Sequence, residues 1–150
     1  IWFGSSPIAA ATSDVKKALK ESEKMSNIKF PGHVPQEMIR EALGGCDLYL
    51  FPTYEETEGI PIIEACAMET NTIIRDIPIF NYLEDGVNVY KAKDVDEFED
   101  KIKRFLNGEL KSVSKGAREI AKKCDIKTVG KELKEVYLEV LNTNKPIDTH

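Results

Sequence analysis

Apolar residues in this chain gather in short blocks of two kinds. Ile1-Trp-Phe3, Ile28-Lys-Phe30, Leu48-Tyr-Leu-Phe51, Thr72-Ile-Ile74 and Val87-Asn-Val-Tyr90 are brief runs rich in β-branched and aromatic residues. They predict strands near 1–4, 27–30, 47–51, 71–75 and 87–90. Between and after them the apolar positions recur at spacings of three and four, predicting helices near 13–24, 35–44, 59–69, 94–107, 111–124 and 127–142. Thr12-Ser-Asp14 and Asp94 are the N-caps expected for the first and fourth helices. Strands alternating with helices at short intervals predict an α/β fold with a parallel sheet and crossover helices. The last three helices come without strands between them. Their polar faces are rich in Lys and Glu, and charge pairs one turn apart on a solvated face account for these. No repeat, low-complexity stretch or internal boundary stands out, so residues 1–143 read as a single domain and 144–150 as a flexible polar tail.

Composition narrows the function classes. A chain of 150 residues with 41% hydrophobic residues can bury a sizeable core. A net charge of -5 argues against nucleic acid as a partner. No apolar run approaches the ~20 residues needed to cross a bilayer, and the first residues do not read as a signal peptide. Three cysteines, Cys46, Cys66 and Cys124, form no Cys-x-x-Cys pair and suit buried small hydrophobes in a reducing compartment. A cytoplasmic location is therefore expected. Lys111, Lys115, Arg118, Lys122 and Lys123 on one helix keep contact with a membrane surface open as a minor reading.

The most informative segment is Phe51-Pro-Thr-Tyr-Glu-Glu-Thr-Glu-Gly-Ile-Pro-Ile-Ile-Glu64. It turns from strand to helix at Pro52 to Glu58, at the carboxyl end of a strand, where open α/β sheets bind ligands. The first turn of the next helix offers unpaired N–H groups and the positive end of the helix dipole to an anion. Gly59 lacks a side chain, so the backbone there can approach a phosphate closely. Acidic side chains beside a phosphate need another purpose, and sugar hydroxyls supply one. A carboxylate can accept from two neighbouring hydroxyls, so Glu56 before the turn and Glu64 within the helix could each grip a diol. At ~1.5 Å rise per residue, Glu64 lies about 7 to 8 Å beyond Gly59 along the axis, leaving an anion between the two carboxylates. An acidic loop of this kind is also compatible with a solvated turn in which Glu complements the dipole. Glu64 weighs against that, because Ile60, Ile62, Ile63, Ala65, Cys66 and Ala67 surround it and an unpaired buried carboxylate is costly. A ribose diol would satisfy it; so would a backbone N–H.

The pattern from Glu56 to Glu64 followed by Ala-Cys-Ala resembles the donor-site signature of retaining glycosyltransferases of family 4, which have the GT-B fold. Lys29-Phe-Pro-Gly-His-Val-Pro35, Gly45-Cys-Asp-Leu-Tyr-Leu-Phe-Pro52, Asp76-Ile-Pro-Ile-Phe80 and Asp85-Gly-Val-Asn-Val-Tyr-Lys-Ala92 are similar to that family's C-terminal domain in order and spacing. The variant Tyr54-Glu-Glu-Thr-Glu-Gly59 looks most like bacterial diacylglycerol glucosyltransferases, with Glu58 where the wider family more usually has Phe. The match runs from residue 1 to about 143.

The resemblance implies a Rossmann-like three-layer domain, the C-terminal, donor-binding half of a GT-B enzyme. It implies transfer of a hexose, glucose from UDP-glucose being the best guess, to a hydroxyl of diacylglycerol or another lipid, with retention. Glu56 would be the catalytic residue, orienting the sugar; Glu64 would hold the ribose, and the amides of Gly59 and Ile60 would face the diphosphate. Gly32, His33 and Val34 would line the base, largely through backbone. Glu58 would either contact the donor or face solvent. The family generally works without an essential metal or cofactor, and no His, Cys and Asp cluster at ligand spacing is present.

Ile1 begins in what reads as a strand already under way with no Met before it, so a fragment is expected, lacking a first strand–helix unit and the N-terminal acceptor domain. In the family that missing unit carries an Arg and a Lys for the diphosphate, so this chain is expected to bind donor without transferring sugar. Acceptor contact, and peripheral membrane association of a full-length protein, would belong to that absent part. A non-catalytic regulatory or assembly domain is the rival reading. A phosphoacceptor receiver domain is disfavoured, because Gly4-Ser-Ser6 replaces its acidic pair and Asp47 lies at the wrong end of its strand. Ser5 and Ser6 have no triad partners. Gly4-Ser-Ser-Pro7 fits no Walker A or dinucleotide fingerprint.

Overall fold

Every residue of Thr72–Arg75 is buried, and this strand is the centre of the sheet. In the computed structural model, which describes residues 1–4 and 12–143, it is β2. Parallel partners flank it: β1, Tyr49–Phe51, and β3, Tyr90–Ala92, with Tyr49 opposite Thr72 and Ile73 opposite Tyr90. A central parallel strand is covered on both faces and needs apolar residues on each. Ile74 faces one layer, packing with Ile62 and Cys66 of α3 (Ile60–Ala67), Phe80, and Ala117 and Ile120 of α5 (Ser114–Lys123). Ile73 faces the other, with Ala92, Phe98 of α4 (Val95–Leu106) and Val113. The three-layer α/β arrangement expected from the sequence is therefore present in this part of the chain.

The chain divides into two compact units, residues 1–42 and residues from 43 onward. In the first, α1 (Ser13–Ser22) starts at the expected cap, with Thr12 Oγ1 accepting from the Val15 amide at 3.5 Å. None of its described residues is buried. The strands expected near 1–4 and 27–30 reduce to a single parallel bridge between Phe3 and Gly32, beside an amide of Trp2 donating to Lys29 O at 2.9 Å. Tight turns consume part of the second segment: the Met25 amide donates to Ser22 O at 2.9 Å and that of Ile28 to Met25 O at 3.3 Å. A second helix, α2, spans Gln36–Gly45.

In the second unit, β3 starts at Tyr90 rather than 87. The residues before it form a turn instead: Gly86 sits at φ 73°, its amide donates to Val89 O at 2.8 Å, and Asn88 Oδ1 accepts from the Glu84 amide at 2.6 Å. Asp94 caps α4 as expected, accepting from the Glu97 amide at 2.9 Å, while Glu97 reaches back to the Lys93 amide at 2.8 Å. The last helix, α6 (Ile126–Thr143), leaves Ile126, Leu133, Val136 and Tyr137 exposed. Of the three cysteines only Cys66 is buried; Cys46 and Cys124, expected inside, are exposed because each lies just past the end of a helix. The expected turn after Gly4 and the tail 144–150 lie outside the described residues.

Candidate functional site

The strand-to-helix turn is built around Gly59. It is the N-cap of α3 at φ 76°, ψ 40°, a left-handed conformation that glycine adopts without strain. A Cβ on Gly59 would also meet Cε1 of the buried Phe80 at 2.6 Å. Backbone angle and space thus both require glycine. Gly59 itself has no side chain to cap this helix start, and Pro61 in the first turn has no amide to offer. The amides of Gly59, buried, and Ile60, exposed, lie at the sheet's carboxyl edge in a positive helix-end field.

Glu56, half-buried, turns its carboxylate onto the backbone just ahead of this start. Its Oε1 accepts from the Thr57 amide at 2.8 Å and from Thr57 Oγ1 at 3.4 Å. The Thr57 amide holds its carboxyl below the usual carboxylate range, with smaller contributions from the amides of Glu58 and Gly59. Thr53 Oγ1 donates to Glu55 O at 2.8 Å and rounds the loop. Glu55 and Glu58 are exposed.

Glu64 lies on α3 and is half-buried rather than enclosed by its apolar sequence neighbours. Its charge is felt by Tyr49, the first residue of β1, whose hydroxyl is pushed up to about 12, first by burial and then by Glu64. In the first unit, Gly32 sits at φ 77° with its carbonyl accepting from the Gly4 amide at 2.8 Å; His33 is exposed and Val34 half-buried. The structure thus brings Glu56, Glu58, Gly59, Ile60 and Glu64 together around one loop and helix start.

Sequence reasoning passed over Arg75. It closes β2 and is only 5% exposed. Its Nε donates to Pro52 O at 3.1 Å and its Nη1 to Lys93 O at 2.6 Å. The guanidinium lies 3.9 Å from the ring centroid of Tyr54 and 5.5 Å from that of Phe98. A charged residue ending a four-residue strand of Thr72, Ile73 and Ile74 was the signal available in the sequence. Among the described residues, no group of three or more His, Cys, Asp and Glu side chains could hold a metal ion. No described helix is long and apolar enough to cross a membrane.

The start of α3 and the carboxylates of Glu56 and Glu64 thus lie at the carboxyl edge of a parallel sheet covered by helices on both faces. The chain belongs to the family of glycosyl transferases group 1, whose model matches residues 10–124. It is 33% identical over 146 residues to the processive diacylglycerol alpha-glucosyltransferase of Acholeplasma laidlawii, covering 97% of this chain and 43% of that protein. It is 31% identical over 88 residues to the alpha-galactosylglucosyldiacylglycerol synthase of Streptococcus pneumoniae, covering 57% of this chain and 23% of that one. The chain thus spans less than half the length of these relatives. Among solved structures, sucrose-phosphate synthase from Thermosynechococcus elongatus superposes with a TM-score of 0.78 at 17% identity, covering 94% of this chain and 38% of that chain. Anabaena HepE in complex with UDP and glucose gives 0.72 at 19% identity, covering 83% and 36%. These two likenesses are likenesses of fold.

Proposed function

We propose that this chain is the donor-binding half of a retaining hexosyltransferase that moves glucose from UDP-glucose to a hydroxyl of diacylglycerol or a related lipid. The observation that carries the reading is the start of α3 at Gly59 and Ile60, flanked by Glu56 on the loop and Glu64 on the helix. The names of the two diacylglycerol-linked relatives favour the acceptor class, and the UDP and glucose bound by HepE favour the donor.

In this reading the amides of Gly59 and Ile60 meet the diphosphate and stabilise the charge that grows on it as the sugar leaves. Glu56 orients the hexose through its hydroxyls, and those bonds tighten as the ring becomes cation-like. Glu64 holds the ribose and contributes binding. Gly32, His33 and Val34 keep the role of contacting the base. Glu58, exposed, is assigned to solvent or to the outer rim of the donor. No side chain is assigned as nucleophile and no metal or cofactor as a participant. The activity belongs to the cytoplasm, with peripheral attachment to the membrane that holds the lipid.

Comparing UDP with UDP-glucose separates the two carboxylates. Glu64→Gln is expected to weaken both ligands by about tenfold or more, the range of a lost charged hydrogen bond in a site. Glu56→Gln is expected to weaken UDP-glucose and leave UDP within about twofold. Equal loss of both ligands in Glu56→Gln would overturn the assignment of Glu56 to the sugar.

A further inference from the structure

We propose that Arg75 is a positioning residue for the donor loop, acting on Glu56 through Pro52 and Tyr54; the inference rests on the donor-site reading above.

A guanidinium is expensive to bury, and a hydrophobic side chain of similar volume would ordinarily serve a sheet core as well or better. Arg75 is buried, and among the described residues no carboxylate lies within ion-pair distance of it. Its partners are backbone carbonyls instead: Pro52 O, where the loop leaves β1, and Lys93 O, just past β3. One planar group thus ties the chain leaving the first strand to the chain leaving the third, across the carboxyl end of the second. Its flat face holds the ring of Tyr54, whose residue is 73% exposed and so is fixed by this stack rather than by enclosure.

Among the described residues, the other side-chain hydrogen bonds of Pro52–Glu58 are local, Thr53 to Glu55 and Thr57 to Glu56. No backbone hydrogen bond outside the helices and strands joins residues 52–58 to the rest of the described chain. Glu56 stands two residues beyond Tyr54, so the tether fixes the loop immediately before the carboxylate. A misplacement of that carboxylate by an ångström is enough to cost much of its grip on a sugar. Lysine at this position has one point charge and no planar fork, so it can hold one carbonyl and cannot stack as guanidinium does.

The test combines backbone nitrogen-15 order parameters without ligand and titration with UDP and UDP-glucose, in the unaltered chain, Arg75→Met, Arg75→Lys and Tyr54→Phe. Arg75→Met is expected to lower the order parameters of residues 53–58 from about 0.85 towards about 0.6, while those of 72–75 and 90–92 stay as before. Its Kd for UDP-glucose should rise by about tenfold and its Kd for UDP by less than about threefold, because the sugar-holding carboxylate is what the loop misplaces. Arg75→Lys should recover part of the affinity, and Tyr54→Phe should keep it, since the ring face is what stacks. Unchanged order parameters of 53–58 in Arg75→Met would overturn the tether. Loosening that spreads through 72–75 would overturn positioning in favour of a general structural role, and so would a loosened loop with unchanged UDP-glucose affinity. Failure of the unaltered chain to bind UDP-glucose would overturn the donor reading itself, which the relaxation measurement keeps distinct from the tether.

Discussion

The carboxylate of Glu56 lies 2.8 Å from the Thr57 amide, and a donor sugar must compete with that bond. The same bond lowers its pKa from the ordinary 4.5, so the ionised form dominates above that value. The sign follows: a depressed carboxyl contributes stability that is present above the unfolded pKa and lost as pH falls through the folded one. Donor affinity is therefore expected to stay level from neutrality down to about 4.5 and to fall only below it, as far as Glu56 controls it. Titration of the Glu56 side chain by NMR beside a donor titration checks this; an apparent pKa above the ordinary value would contradict it. Tyr49 behaves oppositely. Its hydroxyl, ordinarily 10.0, is held neutral to about 12, so its contribution is intact below pH 10 and lost as pH rises through about 12. Removing the charge in Glu64→Gln should move the Tyr49 titration down but not back to 10.0, because burial is the larger cause. At Gly59, alanine would have to sit at φ 76° against Phe80. Gly59→Ala is expected to cost about 2 kcal/mol or more in urea unfolding, from left-handed strain together with overpacking.

Among the elements, α5 is seated more closely than its sequence suggests. A Cβ on Gly116 would run into the carbonyl of Val87, in the turn before β3, so the helix backbone lies directly on that turn. Gly116→Ala should therefore destabilise by about 1–3 kcal/mol, although alanine is the better helix former by about 1 kcal/mol. A stabilised Gly116→Ala variant in thermal unfolding would contradict the packing. Elements whose signals are local were readable in advance. The Thr12 and Asp94 caps, the run of Thr72–Arg75 and the glycine at the head of α3 each carry their reason in adjacent residues. What was missed depends on particular hydrogen bonds that composition does not show. Val87-Asn-Val reads as a strand by composition, yet the Asn88 side chain, bonded to the Glu84 amide, folds it into a turn. Residues 1–4 and 27–30 have strand-like composition, yet the bridge from Phe3 goes to Gly32, beyond the second run, and the Ile28 amide is spent in a turn on Met25 O. That Glu56, Gly59 and Glu64 share one strand-to-helix turn was legible because spacing alone carries it. Arg75 was not, because its partners Pro52 and Lys93 are 23 and 18 residues away.

At the scale of the whole molecule, the chain spans 43% of the length of its diacylglycerol alpha-glucosyltransferase relative. A ligand that binds the folded state alone raises its stability, by about 2.7 kcal/mol at a hundredfold excess over Kd. UDP-glucose should thus raise the melting temperature of the 150-residue chain in a concentration-dependent way, and Glu64→Ala should abolish the rise. The central proposal is a donor site at the head of α3. Isothermal titration of the chain with UDP-glucose and with a guanosine diphosphate sugar, alongside Glu64→Ala, tests it most directly. The predicted result is saturable binding of UDP-glucose, weaker or absent binding of the guanosine donor, and loss of the UDP-glucose signal in Glu64→Ala. Binding of UDP-glucose that survives Glu64→Ala unchanged, or no binding of either donor by the unaltered chain, would contradict it.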